Sequence, residues 1–223
     1  QQSITTIIDN LPEGEKLRVL EIGAGTGSLS SYVLALFSQH KTEYIFSDIT
    51  AAFTKQAKER FKEYDFVDYK ILDIEKNPLE QGFEPHSFDL ILASDAVHAT
   101  SDLTNTLSNI KTLMAPNGLM ILLEATKYVR WFDIVFGTLK GWWLFSDSDI
   151  RHTNPLLSKD QWNNLFEKNG FCDMVGLSDE ISGYSSLHNI LITRVPAFSD
   201  HKQNGSTIQS DIIDKAGEKE WII

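Results

Sequence analysis

Cysteine is almost absent from the 223 residues: Cys172 is the only one. A disulfide framework or a thiolate metal cluster within one chain is thereby excluded, which suits a cytoplasmic setting. Positive charge is also short, with 20 Lys and Arg against 31 Asp and Glu, a net charge of -11 and a pI near 4.9. An acidic surface gives no bulk attraction to a phosphate backbone, so tRNA, rRNA and DNA are disfavoured as substrates. No apolar run is long enough to cross a bilayer, and no membrane partner is expected. Residues Gln1 to Asn10 lack a basic segment followed by an apolar run, so no targeting peptide is expected there. What remains is ordinary for a globular domain: 42% hydrophobic and 11% aromatic residues, in a chain long enough to bury one substantial core.

Short β-branched runs alternate with amphipathic stretches, the pattern of βαβ units and a mostly parallel sheet. Strands are expected at Arg18–Ile22, Tyr44–Ser47, Asp68–Leu72, Asp89–Ala93 and Leu119–Glu124. Helical spacing runs over Ser28–Phe37, Ala51–Phe61 and Leu103–Met114, the last closed by a turn at Pro116-Asn117-Gly118. From Tyr128 to His152 the chain becomes rich in Trp and Phe, as an insertion or lid over the strand ends would be. A helix beginning at Ser158 and stopped by Asn169-Gly170 follows, then two closing strands, Phe171–Leu177 and Leu187–Arg194. Strand order is not encoded legibly. Residues 1–196 are read as one domain, and the polar stretch 197–223 as a linker or disordered tail.

Chemistry enters at Glu21-Ile22-Gly23-Ala24-Gly25-Thr26-Gly27, which leaves a strand and opens a helix. Glycines at such a turn let the backbone approach a ligand without Cβ clashes, and the helix start offers unpaired N–H donors. The spacing departs from the dinucleotide fingerprint. Asp48, ending the second strand about 20 residues further on, can accept hydrogen bonds from both hydroxyls of a ribose. It can equally serve as a helix N-cap, and the two roles are compatible.

This motif, with Asp48 and then Leu72-Asp73-Ile74, resembles the class I methyltransferases that use S-adenosylmethionine, over nearly the whole chain up to Arg194. The resemblance implies a Rossmann-like α/β fold, with a seven-stranded, mostly parallel sheet flanked by helices and the aromatic-rich insertion after the fifth strand. It also implies that the Gly23–Gly27 loop lies under the methionine portion, that Asp48 takes the ribose, and that Asp73 contacts the adenine amino group. Gly23, Gly25, Gly27, Asp48 and Asp73 are therefore the implied cofactor residues, with Ile74 beside them; Glu21 either joins them or orients the loop from behind. For Asp73 a solvated loop carboxylate is the competing reading.

A narrower resemblance lies in Ser94-Asp95-Ala96-Val97-His98-Ala99-Thr100, Leu123-Glu124-Ala125-Thr126, Phe136-Gly137-Thr138-Leu139-Lys140-Gly141-Trp142-Trp143, Asn154-Pro155-Leu156-Leu157-Ser158 and Gln161-Trp162. These look like the carbon-methylating domains of polyketide synthases. Asp95 departs from the Asn more often expected at its position, beside the methyl donor. The family usually carries a helical lid before the first strand, where this chain has only Gln1 to Lys16. The implied reaction moves a methyl group to the α-carbon of a β-ketoacyl chain, held on the phosphopantetheine arm of an acyl carrier protein among neighbouring synthase domains.

A carbon between ketone and thioester is acidic enough for an imidazole to deprotonate once the enolate is stabilised. His98 lies just past the fourth strand and Glu124 ends the fifth, so parallel neighbours would bring both to the carboxyl-end cleft as a base dyad. Backbone-satisfied histidine and salt-bridged carboxylate are their plainer readings. Trp142 and Trp143 either pack the insertion or wall an acyl channel, and Tyr128 and Arg151 are candidates for holding the thioester or pantetheine arm. His40, His86, His152, His188 and His201 lack a convergent acidic cluster, so no metal site is expected. Two other functions fit the same motifs: a free-standing O- or N-methyltransferase, and a non-catalytic scaffold.

Overall fold

A computed structural model describes residues 14–37, 40–178 and 187–197. Seven strands form one sheet: β1 (Leu17–Ile22), β2 (Thr42–Asp48), β3 (Val67–Ile71), β4 (Phe88–Ser94), β5 (Met114–Ala125), β6 (Cys172–Ser178) and β7 (His188–Arg194). Their order is β3-β2-β1-β4-β5-β7-β6. All pairs are parallel except those made by β7, which runs antiparallel to both β5 and β6. This is the Rossmann-like class I methyltransferase fold. The order reverses beside β1, so the crevice above the carboxyl ends of β1 and β4 is where an open α/β sheet binds its ligand.

The helices are α1 (Ser30–Val33), α2 (Ala51–Arg60), α3 (Leu103–Leu113), α4 (Trp131–Val135) and α5 (Lys159–Lys168). Successive residues of the central strands feed opposite layers. Val19, Leu90 and Leu92 join Val33, Phe46 and Phe61 on one face, while Leu20, Ile22, Ile91 and Ala93 join Leu103, Leu107, Trp162 and Phe166 on the other. Burial on both faces explains why β4 reads as the near-continuous apolar run Phe-Asp-Leu-Ile-Leu-Ala-Ser. Its one early charge is matched, since Asp89 takes two bonds from the Arg18 guanidinium, at 3.1 and 2.8 Å. Helix α5 starts at the expected residue: Ser158 accepts from the Gln161 N–H while the Gln161 side chain accepts from the Ser158 N–H, a capping box.

Two expectations are corrected. The helix expected over Ser28–Phe37 is α-helical only over Ser30–Val33 and tightens into a 3-10 turn over Leu34–Leu36. Pro116-Asn117-Gly118 does not separate helix from strand. Strand β5 already begins at Met114, paired with Phe88, and the register then jumps to Leu90 against Leu119. The three residues form a bulge inside β5, with Asn117 at φ 58°. A chain that needs φ > 0 there uses Asn readily, and Pro at an irregular point removes no regular ladder bond. The tail read over 197–223 lies outside the described residues beyond residue 197, as do the first 13 residues.

Candidate functional site

The glycine loop follows β1 directly. Gly23, Gly25 and Gly27 all have positive φ, at 61°, 54° and 75°, which is why side-chain-bearing residues are excluded. At Gly23 a Cβ would come within 2.6 Å of the Ala96 Cβ. At Gly25 it would find open space, nothing being nearer than the Gly23 carbonyl at 3.9 Å. The backbone at Gly25 is thus bare on the side where a ligand would rest, a cradle that a methyl group would fill.

Asp48 is buried at the end of β2. One carboxylate oxygen accepts from the Gly25 N–H at 2.9 Å and the other from the Thr50 N–H at 2.7 Å. It anchors the glycine loop and holds the amide of Thr50, but the N-cap of α2 is Thr50 itself, without a side-chain cap bond, so the capping role considered for Asp48 is not taken. A carboxylate has about four lone-pair sites, so two remain for a ribose diol. Glu21 works from behind the loop. Its carboxylate accepts from Ser30 Oγ at 2.5 Å and Tyr44 Oη at 2.6 Å and is only 1% exposed. Burial raises its pKa, with the two hydroxyl bonds opposing. These bonds run to β2 and α1 and place the carboxylate where it orients the loop from behind. Asp73 caps the Glu75 N–H and pairs with Lys76 at 2.9 Å, while Ile74 is buried in the core.

Beyond β4 the chain turns sharply. Asp95 adopts φ 47°, a left-handed conformation that Asp and Asn tolerate better than other side chains. Its carboxylate accepts from the Ala125 N–H at 3.1 Å and meets His188 Nε2 at 3.1 Å. His188 reaches this acid because β7 inserts beside β5. A 3-10 turn, Val97–Ala99, then carries His98.

His98 and Glu124, 26 residues apart, do meet. Nδ1 of His98 lies 2.5 Å from Oε2 of Glu124, and Oε1 accepts from the Val97 N–H at 3.1 Å. Glu124 is fully buried, and its two acceptor oxygens face N–H donors, which fixes the Nδ1–H tautomer of His98. Burial lowers the affinity of His98 for a proton, but the charge and hydrogen bond of Glu124, with the charge of Asp95, outweigh it, leaving the pKa above 6.5. Ligating atoms of Asp95, His98 and Glu124 fall within 4.8 Å of one another. Their N–H partners make the group a hydrogen-bonded network, and 2.5 Å between the imidazole and Glu124 leaves no room for an ion between them.

The aromatic insertion divides unevenly. Trp142 stacks on Phe136 and presents an edge to the His98 ring, centroids 6.4 Å apart, with its N–H donated to Asp133 at 3.0 Å. Trp143 is 48% exposed and donates to the Gly137 carbonyl. Tyr128 Oη donates to Asp133. Trp142 is thus the one aromatic of the three that touches the surroundings of His98. Arg151, considered for the thioester, is only 2% exposed, its guanidinium committed to carbonyls of the His98 turn and to Asp147. Asp147, a site residue beyond those expected from the sequence, lies four residues before Arg151, an ion-pair spacing that is the one local signal of the pair.

A glycine cradle with a ribose-competent acid at the switch point of this sheet defines an S-adenosylmethionine-dependent class I methyltransferase. A family profile described as a methyltransferase domain matches residues 20–120. A highly reducing polyketide synthase of Alternaria alternata is 41% identical over 198 residues, covering 85% of this chain and 8% of its own length. The crystal structure of the CurJ carbon methyltransferase is 41% identical with a TM-score of 0.80, covering 87% of this chain and 54% of that one. The trans-methyltransferase CalH, solved with SAH, is 33% identical with a TM-score of 0.78, covering 86% of this chain and 54% of that one. The chain belongs to the carbon-methyltransferase domains of polyketide synthases. It spans less than a tenth of the curated synthases it matches and about half of the CurJ and CalH chains. Among the described residues no helix is long and apolar enough to cross a membrane.

Proposed function

We propose that the domain methylates the α-carbon of a β-ketoacyl thioester carried on the phosphopantetheine arm of an acyl carrier protein, with His98 as general base and Glu124 as its orienting partner. The contact that carries this reading is His98 Nδ1 to Glu124 Oε2, at 2.5 Å and shielded from solvent. Glu124 holds Nδ1–H, so the neutral ring has Nε2 as its basic nitrogen, and the proton leaves the α-carbon for that atom. The electron pair of the C–H bond stays on the carbon as the enolate. When bound, S-adenosylmethionine would supply the electrophilic methyl group for that carbon, with S-adenosylhomocysteine as the co-product. Glu124 then stabilises the imidazolium, whose proton returns to solvent. Gly23, Gly25, Gly27 and Asp48 would hold the cofactor, with Asp73 and Ile74 at the adenine end. Asp95 would stand next to the methyl donor, and Trp142, beside His98, would border the acyl chain.

The large synthases among the relatives support acyl-carrier and neighbouring synthase domains as partners. The test is His98→Ala. Methyl transfer to a β-ketoacyl thioester should be abolished while S-adenosylhomocysteine binding, measured by calorimetry, survives. Full residual turnover would remove His98 from the mechanism.

A further inference from the structure

The segment that closes the aromatic insertion is fastened to the His98 turn by Arg151, with Ser146 beside it. Arg151 Nη1 donates to the His98 carbonyl at 2.8 Å. Its Nη2 donates to the carbonyls of Thr100 at 2.8 Å and Ser101 at 3.0 Å. Nε reaches Asp147 Oδ1 at 2.6 Å. The other oxygen of Asp147 accepts from the Leu103 N–H at 3.0 Å, the first amide of α3. Ser146 adds two bonds to the Ser101 carbonyl, from its N–H at 2.8 Å and its Oγ at 3.1 Å. Both charged side chains are almost wholly buried, at 2% and 7% exposure.

A planar fork that gathers three carbonyls from one four-residue stretch fixes its curvature as no flexible ammonium can. Within that stretch the amides of Ala99 and Thr100 bond back to Ala96 and Val97 and Ser101 donates to Glu75, while the carbonyls of His98 and Thr100, in and just after a 3-10 turn of three residues, take their bonds from Arg151. Glu124 fixes the imidazole from the sheet side through Nδ1 and the Val97 amide. Arg151 fixes the backbone of the same residue through its carbonyl.

We infer that Asp147 and Arg151 are positioning residues for proton abstraction: they clamp the His98 backbone so that the imidazole stays in line with Glu124, and they tie that alignment to the seating of the insertion. This rests on the reading of His98 as the base. Both side chains are buried and their polar atoms are bonded to protein partners, so the role is distinct from holding the thioester. A displacement of the base by about 1 Å costs on the order of 100-fold in rate, so loosening the clamp is visible in turnover.

The test compares Arg151→Lys, which keeps the charge but loses the fork, with Arg151→Met, which loses both. Three readouts are taken: kcat for methyl transfer, the dissociation constant of S-adenosylhomocysteine, and the downfield proton resonance of His98 Nδ1–H in the folded domain. In the Lys variant kcat should fall by about 10- to 100-fold, cofactor-product affinity should stay within about twofold, and the resonance should shift or broaden. The Met variant should be worse in both respects; if it fails to fold, the Lys variant decides. A Lys variant with unchanged kcat and resonance overturns the inference, as does one in which kcat and product affinity fall together. His98→Gln run alongside separates the two readings. If it retains turnover while the resonance of the Arg151→Lys protein still moves, the clamp positions His98 but His98 is not the base.

Discussion

Replacing Gly23 by Ala should weaken the cofactor site and the base together, because one added methyl group meets both. Gly23 has φ 61°, where an L-residue with a Cβ pays about 1–2 kcal/mol. The new Cβ would also lie 2.6 Å from the Ala96 Cβ, whereas carbon atoms rest at about 3.5–4.0 Å. Roughly 1 Å must be found by moving the loop or the turn, and overpacking of this kind costs about 1–3 kcal/mol. The total is about 2–5 kcal/mol in denaturant unfolding. Ala96 immediately precedes Val97 and His98, whose amide and imidazole both bond Glu124, so the push is delivered to the proposed base. S-adenosylhomocysteine affinity and kcat should both drop. The informative companion is Gly23→Ala with Ala96→Gly, which removes the collision but not the backbone strain. It should recover the steric part and leave a deficit of about 1–2 kcal/mol. A Gly23→Ala protein within about 0.5 kcal/mol of the parent, or a double variant no better than the single one, would refute the reasoning.

With the His98 pKa held above its ordinary value, kcat/KM should rise with pH through a pKa above 6.5 as the imidazole becomes neutral. Stability should move the opposite way: His98 contributes it fully below the unfolded-state value, and the contribution is lost as pH rises through the folded-state pKa. Thermal melts across pH should show that loss, and His98→Gln should abolish it. Glu124→Gln removes the charge that raises the His98 pKa, so the ascending limb should move to lower pH while kcat falls by roughly 100-fold or more. A limb that stays in place would separate Glu124 from the titration. Glu21→Ala strands the Ser30 and Tyr44 hydroxyls in the core and should cost about 2–4 kcal/mol, whereas Glu21→Gln keeps an acceptor and should cost about 1. Chemical denaturation distinguishes them.

The elements that were legible in the sequence are those governed by local pattern. Strands β1 to β4 follow apolar runs, and the capping box at Ser158 announces α5. The glycine loop and Asp48 are legible because left-handed backbone and an acid at a strand end are requirements of single residues. What stayed hidden depends on distant partners. The bulge at Pro116–Gly118 exists because Met114 pairs with Phe88, a contact that no window of sequence contains. Asp147 and Arg151 display an ion-pair spacing, but the carbonyls that give the pair its meaning lie about 50 residues away. Asp95 and His188 meet only because of the strand order, 93 residues apart in the chain.

That strand order has a consequence for how the domain is made and cut. Strand β7 fits between β5 and β6 rather than at a border, so the long apolar β5 offers its outer ladder to solvent until the chain has been synthesised through Arg194. Until then its backbone is an open template for association with other chains. A fragment ending at Gly170 would keep the glycine cradle, His98 and Glu124, yet expose that ladder; aggregation rather than loss of cofactor contacts is then what sets the C-terminal limit for expressing this domain alone.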